Sequence, residues 1–342
     1  SLIKDVKTDR EKMDVIFQYV QNSMNWNGNN SYACEFGVKK AFKEKTGNNA
    51  DINLMLVAML RYAGLDAHPI ILSTRLNGVA AFPSRSAFNY VIAGVKYSDD
   101  DIVLLDASNK NTVPNILPLK AVNWIGRMLL PDAAIFEVQL EPKSVSNKTI
   151  TILAEIEDEI NLVGKLREVS SDYFAFLFRE NNGGKSSESL KEMFEKRYDG
   201  IEINDIVVKN ENSKPVTLSY SFNSNNAIEV IGDKTYISPL LFLTSDENPF
   251  KSDNRRYPVE FDFPQKLNYN ISLKLNDQYE VVSLPLPLVI KSESDNVSFV
   301  FNISATGNNI QISCNLELLD TVVNAENYMA LKEFFNKMLS KQ

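Results

Sequence analysis

The pattern of apolar and polar positions divides the chain before any motif is considered. Met13, Ile16, Phe17, Val20 and Met24 recur at helical spacing behind Asp9, which predicts an amphipathic helix over about 9 to 24 with Asp9 as its N-cap. Val38 and Phe42 stand one turn apart and predict a shorter helix over 34 to 45. The stretch from 49 to 63 differs in kind: Leu54, Met55, Leu56, Val57, Ala58, Met59 and Leu60 leave almost no polar face, so this helix must be buried on all sides. It starts after Gly47-Asn48 with Asn49 as the expected cap. Asp51 lies in the first turn, where the helix dipole favours a carboxylate, and Gly64 stands just past the end.

Three strand-like runs follow, Ala67 to Leu72, Tyr90 to Val95 and Ile102 to Leu105. A short polar connection, Lys96 to Asp101, suits a hairpin between the second and third and hence antiparallel pairing. A buried helix on a small antiparallel sheet is an α+β core. Pro114, Pro118 and Pro131 then punctuate a stretch that reads as irregular, and the domain boundary is expected near 145, giving domains 1–145 and 146–342. Beyond it the chain is mostly β. Strand composition recurs at Ile150–Ile156, Ile201–Val208, Val216–Phe222, Val259–Phe263, Tyr269–Leu275, Glu280–Leu284, Val297–Ile303 and Ile310–Leu318, which predicts a sandwich or a strongly bent sheet. Ser186 to Tyr198 reads as one helix within it, and Tyr328, Leu331, Phe335 and Met338 mark a terminal helix.

Composition narrows the functional classes. At 342 residues the chain exceeds what one hydrophobic core holds, which supports two domains. Its 36 basic against 44 acidic residues, a net charge of −8, oppose a general affinity for nucleic acid or anionic lipid. No apolar run reaches the roughly 18 residues of a membrane span; the greasiest, Val281 to Ile290, is broken by Pro285 and Pro287. The sequence opens Ser1-Leu2 without an initiator Met or a signal-peptide pattern and reads as a fragment of a longer precursor. Cys34 and Cys314 are too far apart to suggest a disulfide framework or a metal site, and a single histidine, His68, excludes a multi-His metal site within one chain. No cofactor is expected.

Gly47-Asn48-Asn49-Ala50-Asp51 leading into the buried helix, Met59-Leu60-Arg61-Tyr62-Ala63-Gly64-Leu65-Asp66-Ala67, Phe88-Asn89-Tyr90-Val91-Ile92-Ala93 and Leu104-Leu105-Asp106 together resemble the transglutaminase-like core, over about 9 to 130. The resemblance implies a papain-like α+β fold. In active members the helix commonly begins Gly-Asp-Cys-x-Asp, the second strand starts with His, and a later strand ends in Asp. Here the cysteine position is Asn49, the histidine position is Tyr90, and only the aspartate is kept, as Asp106. That site lowers a thiol pKa at a helix N-terminus, moves its proton to an imidazole and orients the imidazole with a carboxylate. An Asn amide is not a usable nucleophile, and a phenol with an ordinary pKa near 10 is a poor base at neutral pH. The expected reading is a catalytically dead core with Asn49 as a helix cap, Tyr90 as a strand aromatic and Asp106 bonding Tyr90 or a turn amide. Cys34 is the one rival nucleophile, with a small packed residue as its plainer role. His68 matches packing positions on the first strand. Asp99, Asp100 and Asp101 lack the spaced oxygens of a calcium loop and suit a solvated hairpin tip.

Further on, Arg255-Arg256-Tyr257-Pro258-Val259-Glu260-Phe261, Tyr279-Glu280-Val281 and Leu284-Pro285 resemble the β-rich domain of unknown function that follows transglutaminase-like cores in many bacterial cell-envelope proteins. That resemblance implies a further β domain ahead of the core in the full-length chain and a secreted precursor. The location it implies is periplasmic or extracellular. The combined expectation is a non-catalytic envelope protein with a binding or structural role towards peptide or glycan. Two other readings stay open: a thiol peptidase or amidase that uses Cys34 or groups from an absent N-terminal region, and a ligand site that belongs to the second domain alone.

Overall fold

Burial of one nearly featureless helix organises the N-terminal part of the chain. In the computed structural model, which describes residues 2–80, 86–157, 161–198, 200–210, 214–244, 247–293 and 295–341, the chain divides into two units, Ser1–Lys143 and Ser144–Gln342. In the first, α1 (Asp9–Ser23) is followed by β1 (Asn25–Trp26), α2 (Val38–Glu44), β2 (Thr46–Gly47) and α3 (Asn49–Tyr62). Strands β3 (Ala67–Leu72), β4 (Tyr90–Lys96), β5 (Ile102–Leu105), β6 (Ile125–Leu129) and β7 (Ile135–Gln139) form an antiparallel sheet in the order β5-β4-β3-β6-β7. Ile52, Leu56 and Leu60 of α3 are fully buried in a core shared with Ile16, Phe17 and Val20 of α1 and with Ala93, Val95 and Leu105 of the sheet. Each such large side chain contributes about 1.5–3 kcal/mol by leaving water, and this burial, not helix propensity, holds α3 in place.

Several expectations shift. The cap of α1 is Thr8, not Asp9: Thr8 Oγ1 accepts from Glu11 N, and the Glu11 carboxylate accepts from Thr8 N, a reciprocal box. The cap of α3 is Asn48, not Asn49, for the same reason, since Asn48 and Asp51 bond each other's backbone N–H groups. The helix expected over 34 to 45 is only Val38–Glu44, and Phe42 points outward. The proline-rich stretch near 114 to 131 is not wholly irregular, because β6 lies within it and β7 follows.

The second unit is built on an eight-stranded sheet of β8 (Ser146–Ile156), β9 (Leu162–Ser170), β10 (Ile201–Lys209), β11 (Val216–Ser224), β15 (Gln265–Lys274), β16 (Leu288–Lys291), β17 (Val297–Thr306) and β18 (Asn309–Leu318). Their order is β10-β11-β9-β8-β15-β18-β17-β16, antiparallel except between β8 and β15. The hairpin β12 (Ile228–Ile231) and β13 (Lys234–Ile237) and the short pair β14 (Val259–Glu260) and β19 (Val322–Val323) lie outside it. Along β8 the residues Ile150, Ile152, Ala154 and Ile156 are buried while Leu153 and Glu155 face outward, the two-residue period of a half-buried sheet. Helices α4 (Asp172–Asn182), α5 (Ser187–Arg197) and α6 (Tyr328–Leu339) complete the unit. Leu190 and Phe194 of α5 and Leu331, Phe334, Phe335 and Met338 of α6 join the sheet's core. The strand expected at Glu280–Leu284 does not form: the exposed Pro285 and Pro287 have no N–H to pair, and only Leu288–Lys291 joins the edge. Among the described residues no helix is long and apolar enough to cross a membrane.

Candidate functional site

The start of α3 meets the first residue of β4 and the end of β5. Gly47 precedes the helix because a methyl group there would lie 2.7 Å from Asp51 Cβ. The Asp51 side chain, fully buried, accepts from the backbone N–H of Asn48 at 3.2 Å and of Glu35, Phe36 and Gly37 at 3.3, 3.4 and 3.0 Å. One carboxylate thus caps α3 and ties down the loop that leads from β1 to α2.

Asn49, at the first position of the helix, is 0% exposed. Its Oδ1 accepts from Ser31 N at 2.7 Å, and its Nδ2 donates to the Val91 carbonyl at 3.1 Å. Tyr90, one residue before Val91 and 1% exposed, donates its phenol O–H to Asp106 Oδ2 at 2.7 Å and lies 3.1 Å from Ser108 Oγ. Asp106, also fully buried, accepts at Oδ1 from Asn53 Nδ2 at 2.8 Å, Ser108 N at 2.9 Å and Ser108 Oγ at 2.5 Å. Asn53 closes the network: its Nδ2 is also 3.1 Å from the Val91 carbonyl, and its Oδ1 accepts from Ala107 N at 2.8 Å. Burial, then the Asp106 charge, push the Tyr90 phenol well above its ordinary pKa, so it is a neutral hydrogen-bond donor at physiological pH.

Asn49, Tyr90 and Asp106 therefore share one network at one end of the sheet, joined through Val91 and Asn53. It is closed to solvent. Above the Tyr90 ring stands the Lys120 ammonium, 5.0 Å from the ring centre and 4.1 Å from that of Trp26, with Asn30 Oδ1 accepting from it at 3.2 Å. Asn53 and Ser108 escaped sequence reasoning. Their signals were present: Asn53 is an amide one turn after Asn49 in an otherwise apolar helix, and Ser108 follows Asp106 by two, the spacing of a carboxylate that folds back on its own backbone.

The remaining candidates lie elsewhere. His68 pairs with Gly94 while Leu72 pairs with Tyr90, so the imidazole stands four residues along β3, about 14 Å from the network. There Nε2 is 2.7 Å from Asp66 Oδ1 and Nδ1 is 3.2 Å from Arg61 Nη2. Asp99 and Asp101 pair with Lys96 and Arg10 at a hairpin tip. Among the described residues no group of three or more His, Cys, Asp or Glu could hold a metal ion.

Cys34 lies against the Asp51 carboxylate. Burial first, and the Asp51 carboxylate second, push its thiol up to about 11. Both act against the anion that a nucleophile needs, and only about one thiol in a thousand is thiolate at pH 8. Alkylation of Cys34 by iodoacetamide is accordingly expected to be slow at pH 7–8 and to climb with a midpoint near 11. A midpoint near the ordinary 8.5 would remove both the burial of the thiol and its Asp51 contact from the account.

The transglutaminase-like superfamily profile matches residues 1–107. DUF3858, a domain of unknown function with a solved structure, matches residues 233–342. No curated protein is significantly similar to the chain. Among solved structures, a candidate protease from Parabacteroides distasonis ATCC 8503 superposes with a TM-score of 0.54 at 10% identity over 99% of this chain. At that identity the likeness is one of fold. The chain spans about half of that protein's length, 52%.

Proposed function

We propose that this chain, whose residues 1–107 carry a transglutaminase-like core with DUF3858 following at 233–342, uses that core without catalysis. We place it in the bacterial cell envelope, with a binding or structural role towards peptide or glycan. The observation that carries the reading is the state of the nucleophile position. Asn49 has both side-chain polar atoms engaged and no exposed surface, and the group where a general base would stand is a neutral, buried phenol. Such a site lacks a nucleophile, lacks a base and gives a substrate carbonyl no path to either. The order of core and DUF3858 supports the envelope assignment, because the family resemblance implies that setting. Cys34 gives little support to a relocated thiol enzyme, since its surroundings disfavour the thiolate.

The test is hydrolysis and amine transfer on a panel of glutaminyl and peptidoglycan-type peptides, with the parent chain beside Cys34→Ser. Both proteins are expected to stay at the buffer rate. Turnover by the parent that disappears in Cys34→Ser would overturn the non-catalytic reading in favour of the thiol at Cys34.

A further inference from the structure

The outward face of the eight-stranded sheet carries an uncharged patch across the adjacent strands β8, β15, β18 and β17. Register aligns Thr151 of β8, Asn270 of β15, Ser313 of β18 and Asn302 of β17 in one row, and Ser272 and Gln311 stand side by side in the next. Charge frames the patch. Lys274 with Glu155 at 3.8 Å closes one end, Lys266 with Glu317 at 2.9 Å closes the other, and on β9 the rows run on to Arg167 and Lys165. Between those pairs lie three uncharged rows over four strands, roughly 14 Å by 14 Å from strand spacing and rise. The face is a depression of about 470 Å³.

This composition is costly for a sheet. Asn and Ser are depleted in strands because a pleated, half-buried surface rewards branched and aromatic side chains, yet they fill the middle of the longest ladder here. Two of the amides are left to solvent: the side chains of Asn270 and Asn302 make no hydrogen bond to another described residue, whereas Asn268 donates to Thr149. Gln311 Nε2 donates to Ser272 Oγ at 2.7 Å, which fixes the orientation of that amide. Amides and hydroxyls each offer a donor and an acceptor, so the grid matches a ligand covered in hydroxyl groups. With no ionisable side chain inside the frame, it offers no counter-charge to an anion or a cation. Leu153, 60% exposed at the border, supplies one apolar surface for the C–H face of a ring.

We propose that this face binds a neutral oligosaccharide across β8, β15, β18 and β17. The proposal deepens the binding half of the reading above and rests on it. Turnover by the first unit would sink the non-catalytic half of that reading and not its binding half, whereas a failed titration sinks this face alone.

The experiment is titration of the full chain, followed by calorimetry and by amide chemical shifts. The probes are neutral gluco-, xylo-, manno- and N-acetylglucosamine oligomers, with anionic oligogalacturonate and an uncharged peptide pool as comparators. At least one neutral oligomer is expected to bind with shifts confined to the four strands. Asn270→Ala with Asn302→Ala should weaken that binding at least about tenfold. The exposed Asn302→Leu, of similar volume but with neither donor nor acceptor, should weaken it too. The proposal fails if no neutral oligomer binds at millimolar concentration, if binding survives both variants, or if oligogalacturonate or peptide binds better.

Discussion

Asn53→Asp is expected to destabilise the first unit by about 3–5 kcal/mol at pH 7, the range for a buried charge left without a partner. The change is isosteric, so packing is preserved while the donor to Asp106 Oδ1, now at 2.8 Å, becomes an acceptor and a second carboxylate. Burial and the neighbouring charge both raise the folded-state pKa of the new group above its unfolded value of about 3.9. The sign follows: below pH 3.9 the group is protonated in both states and costs nothing through ionisation. As pH rises towards the folded pKa the unfolded chain alone loses the proton, and the deficit relative to the parent grows. Asn53→Leu is the control. It leaves Ala107 N without its acceptor and removes the donor to Asp106 Oδ1 and to the Val91 carbonyl, a loss of about 1–3 kcal/mol for each buried group left unpaired, but it introduces no new ionisable side chain. Both tryptophans, Trp26 and Trp124, lie in the first unit, so tryptophan fluorescence during urea unfolding of the whole chain reports this unit selectively. An Asn53→Asp deficit that is the same at pH 4 and pH 7 would show that position 53 is neither buried nor beside Asp106.

The same network explains which parts of the molecule were legible in the sequence. Helix α3 was legible as a helix, because seven consecutive apolar residues demand burial, but it is not buried on all sides: Ala58, Arg61 and Tyr62 are exposed and Leu54 and Met59 half-buried. Strands β3, β4 and β5 were legible because turn residues bound each run. The caps were displaced by one residue. Thr8 with Glu11 and Asn48 with Asp51 have the three-residue spacing of a reciprocal box, and that spacing decides the cap more sharply than the identity of the first polar residue. Strand β9 was missed because Lys165, Arg167 and Glu168 break the β-branched composition that marks a strand, although its neighbours on both sides supply the ladder. The parallel pairing of β8 with β15 leaves no local trace at all. Register between segments more than a hundred residues apart is set by the assembled core, as the Ile152 and Ile271 pair illustrates. Within the site, residue identities were legible, whereas closure was not. That Asn49 faces Val91 and Ser31 instead of a cleft is a fact of tertiary packing.

Closure has a consequence for any attempt to restore chemistry. Asn49→Cys places a thiol at a helix N-terminus, where the dipole lowers its pKa, but Tyr90 offers no imidazole to take the proton or return it to a leaving amine. No turnover is expected from that variant alone. Adding Tyr90→His puts an imidazole at the strand position whose longer phenol now donates to Asp106 at 2.7 Å, and supplies the third residue type of a Cys-His-Asp set. Loss of the nucleophile in a hydrolase such as subtilisin costs on the order of a millionfold in turnover, so recovery of even a small part would be measurable. Yet the double variant is also expected to remain at the buffer rate, because position 49 has no exposed surface and Lys120 with Trp26 stands over position 90. Alkylation separates the two causes. If the site is sealed, the new thiol in the folded double variant reacts with iodoacetamide far more slowly than the same thiol in urea. A double variant that turns over glutaminyl peptides would mean that closure does not keep substrate from this site.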